Sequence, residues 1–166
     1  FSEEAYFDVI RKKTAALFKA SSQSGAVSVG AVQEEVMKAG LLGEMIGIAF
    51  QIKDDIFDYF ESSELGKPTG NDMLEGKLTL PALYVLNQTG DDSLKQTALK
   101  IRSLEASKEE IANFVETVKE KGGIEYATRM MYEFRDKALA LVPASADSSL
   151  KEALTAYIDY VIERNK

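Results

Sequence analysis

Three carboxylates crowd one short stretch of the chain, QIKDDIFDYF from Gln51 to Phe60, where Asp54, Asp55 and Asp58 interrupt an otherwise apolar helical pattern. On an α-helix, residues four apart are neighbours, so Asp54 and Asp58 stack while Asp55 flanks them at about 100°. Like charges so placed repel by roughly 0.2–0.5 kcal/mol per pair. Such crowding beside Phe50, Ile52, Ile56 and Phe57 makes physical sense where a cation visits. Hard carboxylate oxygens suit Mg2+, which prefers oxygen ligands and commonly bridges one or two carboxylates to phosphate oxygens. Downstream, Lys67, Asn71, Asp72 and Lys77 surround several glycines, and the lysines add point-charge donors for phosphate.

Other sources of clustered acids do not fit. An EF-hand loop needs Gly at its sixth position and Glu at its twelfth, whereas counting from Asp54 gives Tyr59 and Leu65. No GxxxxGK[ST] loop is present, which excludes the P-loop enzymes. The chain has no His and no Cys, and so no Ser-His-Asp hydrolysis, no zincin or zinc–thiolate site, no disulfide and no thiolate nucleophile. Carboxylate, lysine and oxygen-ligand chemistry remains. A net charge of −7 argues against nucleic acid or an anionic membrane surface as partner. No apolar run approaches the roughly 20 residues of a membrane span and no basic-then-apolar leader opens the chain, so a soluble, cytoplasmic protein is expected.

The elements that must position these residues are helical throughout. Ser2 is a candidate N-cap with Glu3 and Glu4 in the first turn, and Tyr6, Val9, Ile10, Thr14, Leu17 and Phe18 recur at helical spacing to near Ala20. Ser21 to Gly25 reads as a polar break. From about Val32 to Phe60 the period continues as one long buried helix, and Gly40, Gly43 and Gly47 inside it predict the close approach of another helix. Residues 61–76 read as a long loop. Thr79 can cap, and Pro81 open, a helix that stops before Gly90. Amphipathic helices follow over 92–102, 108–121, 124–141 and 146–164, with a capping box at Ser107 and Glu110. No useful period-2 alternation or internal repeat occurs. The class is all-α, a helical bundle in which residues 1–166 form a single unit.

With those residues in place, GIAFQIKDDIFDY followed by LGKPTGNDMLEGKLTLPALYVL resembles the second aspartate-rich motif and following loop of the trans-isoprenyl diphosphate synthases, the polyprenyl synthetases. RKKTAALF resembles the lysine-threonine helix that precedes it in that family. The resemblance implies an isoprenoid-synthase-type fold, helices round a deep cavity, in which an allylic diphosphate held through Mg2+ is ionised and the cation is added to isopentenyl diphosphate. By match, Asp54 and Asp58 would be Mg2+ ligands or their close partners with Asp55 alongside, and Lys13, Lys67 and Lys77 would hold the departing diphosphate. Thr14 and Gln51 would polarise and position it, although each can equally satisfy a helix backbone group. Phe50 would wall the cation, or simply pack in the core. The released diphosphate would take the final proton, so the route needs no histidine base.

A family member carries a first aspartate-rich motif as well, and DDxxD occurs once in these residues. With no initiator Met at Phe1, the chain is expected to be the C-terminal half of such an enzyme, inactive alone and homodimeric when whole. Two alternatives stand beside this one: a terpene cyclase of the same architecture, and a non-catalytic helical module that dimerises or regulates. The lysine-bearing loop favours the synthase over the cyclase.

Overall fold

The helices α1 (Glu3–Ile10) and α2 (Ala16–Ser28) are joined through one π-helical turn, Arg11–Ala15, into an unbroken rod. Ser2 caps it as the sequence predicts, its Oγ accepting the Ala5 N–H at 3.1 Å. These coordinates come from a computed structural model, which describes residues 1–60 and 69–164. The expected break at Ser21–Gly25 is absent, because those residues are helical.

The reason lies in the next helix, α3 (Gln33–Phe57). A Cβ placed on Gly43 would fall 2.4 Å from the Phe18 carbonyl oxygen and 2.4 Å from Ser22 Oγ, and one on Gly47 would fall 2.6 Å from the Ala15 Cα. The two helices therefore cross almost backbone to backbone, as the glycine spacing predicts. Ala15 and Ser22 are small for the same reason as the glycines. Within the stretch that reads as a break, Ser22 and Gln23 face the α3 glycines while Ser21, Ser24 and Gly25 are exposed.

Downstream lie α4 (Asn71–Leu74), α5 (Leu80–Thr89), α6 (Asp92–Arg102), α7 (Lys108–Glu120), α8 (Gly123–Ala140) and α9 (Ser148–Glu163), with no strand among the described residues. Pro81 sits in the first turn of α5, and Ser107 and Glu110 close the predicted capping box on α7 at 3.1 and 2.8 Å. Thr79 has the extended backbone of a cap, but its side chain does not cap α5; its Oγ1 lies 3.5 Å from the Tyr59 hydroxyl instead.

The residues form two compact units. One comprises Phe1–Tyr6 and Asp54–Thr128, the other Phe7–Lys53 and Arg129–Asn165. The first is built on a core of Tyr59, Met73, Val85, Leu86, Ile101, Phe114 and Val118, each nearly or wholly removed from water. Full burial of a side chain such as Phe114 contributes about 1.5–3 kcal/mol. In the second, Ile46, Ile48, Ala49 and Ile52 of α3 are buried, while Leu17, Met37, Leu41, Tyr157 and Tyr160 stay exposed. Among the described residues no helix is long and apolar enough to cross a membrane.

Candidate active site

In the first unit the aspartates have separate tasks. Asp58 lies one residue past the end of α3, and its carboxylate receives two successive backbone amides, Asn71 N–H on Oδ1 and Asp72 N–H on Oδ2, both at 3.0 Å. Its carbonyl oxygen accepts the Gly70 N–H at 2.8 Å. Gly70 occupies the left-handed region at φ +78°, and a Cβ there would meet Ile111 Cγ2 at 2.8 Å, so the turn into α4 is seated on α7.

Asp55 is buried and accepts the Tyr6 hydroxyl on Oδ2 at 2.6 Å. Tyr6 is buried as well; that burial, and then the adjacent Asp55 charge, push its phenol well above the ordinary tyrosine range. At ordinary pH the phenol therefore keeps its proton and donates it to Asp55. Asp54 is half-buried on the last turn of α3.

Of the predicted lysines, Lys67 lies outside the described residues. Lys77 is exposed, pairs with Glu75 and stands 3.5 Å from Asp72 Oδ1. The bond to Glu75, aided by Asp72, raises its ammonium above the usual lysine value. Its backbone N–H also donates to the Asp72 carbonyl at 2.8 Å. Exposed pairs of this kind add little stability, and Lys77 can exchange carboxylate for another anion at small cost.

Asp54, Asp55 and Asp58 are hard oxygen donors, the donor chemistry that a dication of the Mg2+ type prefers. Among the described residues no group of three or more acidic side chains forms a closed metal cage. Mg2+ does not require one, since it keeps several waters and takes one or two protein carboxylates.

The second unit carries the other predicted residues. Lys13 and Thr14 lie on the π-helical turn, a local widening that recurs at functional sites. Lys13 is exposed. Thr14 Oγ1 donates to Gln51 Oε1 of α3 at 2.7 Å, so the two residues proposed to act together are bonded to each other. Glu44 takes Arg11, at the start of the turn, at 3.6 Å and Lys19, beyond it, at 2.7 Å. The Phe50 ring lies 5.3 Å from that of Phe18, with the Arg164 guanidinium 3.9 Å from its centroid.

Sequence reasoning missed Tyr6, Glu44 and Arg164. Each had an obvious role in a helical stripe or on a charged face, and their partners are distant in the chain.

The all-helical architecture of the described residues matches the isoprenoid-synthase-type fold. The chain belongs to the polyprenyl synthetase family, whose model matches residues 1–118. It is 34% identical over 166 residues to a short chain isoprenyl diphosphate synthase of Methanothermobacter thermautotrophicus, an alignment covering 98% of this chain and 50% of that protein. Among solved structures, it superposes on a geranylgeranyl pyrophosphate synthase from Bacteroides thetaiotaomicron with a TM-score of 0.94 at 58% identity, covering 98% of this chain and 54% of that one. A polyprenyl synthase from Caulobacter crescentus, complexed with calcium and isoprenyl diphosphate, matches at TM-score 0.87 and 31% identity over 100% of this chain and 51% of that one. The chain spans about half the length of the curated relatives it matches.

Proposed function

We propose that this chain is the C-terminal half of a cytoplasmic, homodimeric prenyltransferase that condenses an allylic diphosphate with isopentenyl diphosphate. The observation that carries the reading is the bonding of the aspartate motif to the lysine-bearing segment through Asp58, Asn71 and Asp72. An acidic cluster on a solvated face would have no reason to hold a lysine-bearing turn. The relatives named geranylgeranyl and short chain isoprenyl diphosphate synthases support the substrate class, and the calcium and isoprenyl diphosphate in the Caulobacter structure support a hard dication with a diphosphate.

In this reading Asp54 would offer the principal oxygen ligand for Mg2+, with Asp55 adding negative field beside it. The bound ion supplies positive charge against the negative charge that grows on a departing diphosphate. Lys13, Lys67 and Lys77 bind the diphosphate oxygens as point charges. Thr14 and Gln51, fixed by their mutual bond, orient the reacting end, and Phe50 presents an aromatic face with no nucleophilic atom to capture a cation. The exposed apolar residues of α2 and α3, such as Leu17 and Leu41, suit a surface that other protein covers. DDxxD occurs once here, and we expect no turnover from these 166 residues alone.

Titration of the protein with Mg2+ and inorganic diphosphate tests the reading. Diphosphate binding should require Mg2+, and Asp54→Ala should weaken it by about tenfold or more, the loss expected for one charge-assisted contact. Indifference of the wild type to both ligands would leave a non-catalytic helical module.

A further inference from the structure

The first and third aspartates of the motif are four apart on sequence, and spacing alone gives them the same work. The structure separates them. Asp58 directs one oxygen at each of two consecutive amides, both at 3.0 Å, and its own carbonyl takes a third at 2.8 Å. Two N–H donors on two oxygens orient the plane of a carboxylate, and bonds to an ionised acceptor are roughly twice as strong as neutral ones.

The consequence passes along the backbone to Lys77. Asp72, whose amide Asp58 holds, accepts the Lys77 N–H on its carbonyl at 2.8 Å and stands 3.5 Å from the Lys77 ammonium through Oδ1. On its other side the segment rests on Ile111 at the Gly70 turn. The path from the Asp58 carboxylate to Lys77 thus runs through Asp72 alone.

We propose that Asp58 is a positioning residue: its carboxylate clamps the segment from Thr69 to Lys77 at the end of α3 and sets where Lys77 meets a diphosphate, while Asp54 governs the affinity for metal. This rests on the function proposed above. The side chains at position 58 form a graded series, since Asn keeps one acceptor oxygen and Ala keeps none.

Amide hydrogen exchange on the metal-free chain reads the clamp directly. Exchange at Asn71 and Asp72 should speed by about tenfold in Asp58→Asn and further in Asp58→Ala, while Asp54→Asn leaves both amides protected. Calorimetric titration with inorganic diphosphate and Mg2+ reads its use. Asp58→Asn should weaken diphosphate by about tenfold, a loss of one charge-assisted bond, with the wild-type Mg2+ half-saturation, whereas Asp54→Asn raises that half-saturation. The proposal is overturned if Asp58→Asn shifts the Mg2+ dependence as Asp54→Asn does, if the two amides stay protected, or if they open with diphosphate affinity unchanged. Failure of the functional reading looks different, because the wild type itself then binds no diphosphate with Mg2+.

Discussion

The two units hold their candidate residues by different forces. In the second unit, Thr14 and Gln51 meet because α2 and α3 cross on glycine and small residues, where a Cβ at Gly43 would fall 2.4 Å from a backbone oxygen. Packing fixes the register there, and a polar bond finishes it. In the first unit the order is reversed. Asp55 and Asp58 are fixed by hydrogen bonds, from Tyr6 to one and from three consecutive backbone amides to the other. Steric register tolerates no added volume, whereas polar register tolerates volume but no lost donor. The two units should therefore fail under opposite kinds of substitution.

Gly43→Ala is the severest test of the steric side. The added methyl would fall 2.4 Å from the Phe18 carbonyl oxygen and 2.8 Å from its carbon, and this backbone cannot swing aside as the Ser22 hydroxyl can. Overpacking of this kind costs about 3 kcal/mol, which for a chain of this size lowers the melting temperature by about 10 °C. A melting curve superimposable on the wild type would refute backbone-to-backbone crossing. The polar counterpart is Tyr6→Phe, which adds no volume and removes the donor from a buried carboxylate. Its expected cost is about 2 kcal/mol, the penalty for stripping a donor from a buried charged group, read by denaturant unfolding. A neutral Tyr6→Phe would mean that Asp55 is held by something other than this bond.

The same division decides what could be read from sequence. Helix ends marked by local chemistry were legible, such as the Ser107–Glu110 capping box and Pro81 opening α5, because the signal lies within four residues. The all-α class and the glycine crossing on α3 were legible too, since period and residue size are local properties. The aspartate motif and its lysine segment stood out by composition, and Asn71 and Asp72 stood out with them. What the sequence left open was which partner each residue would choose. Tyr6 and Asp55 are 49 residues apart, and Arg164 reaches the Phe50 carbonyl across 114. Ser21–Gly25 misled for a related reason, because the smallness of Ser22, which lets α3 approach, looks locally like part of a break.

Thr14→Val tests whether the polar bond in the second unit only finishes what packing sets. The shape is retained and the hydroxyl is lost, so stability should fall by only about 1 kcal/mol, the net worth of an ordinary hydrogen bond. A loss as large as that of Gly43→Ala, measured in the same melts, would make the Thr14–Gln51 bond the organiser of the crossing instead of its consequence.

The smallest effect is expected at the surface of the first unit, where Lys100 donates to Glu110 at 2.6 Å. That bond, followed by the Ser107 N–H, holds the Glu110 carboxyl below its ordinary value, and the same bond raises the Lys100 ammonium. A carboxyl lowered by folding contributes stability above its unfolded pKa, about 4.3, and loses it as pH falls through the lower folded value. An ammonium raised by folding contributes stability below about 10.4 and loses it as pH rises through the higher folded value. One exposed pair therefore slopes the stability curve at both its acid and its alkaline ends. Glu110→Gln keeps an acceptor for the Ser107 amide and removes the charge, so urea midpoints measured across pH should lose both slopes, with the neutral midpoint lower by the small amount those slopes represent and the acid and alkaline midpoints unchanged. A midpoint that fell equally at every pH would mean that the cap, and not the charge, had been lost.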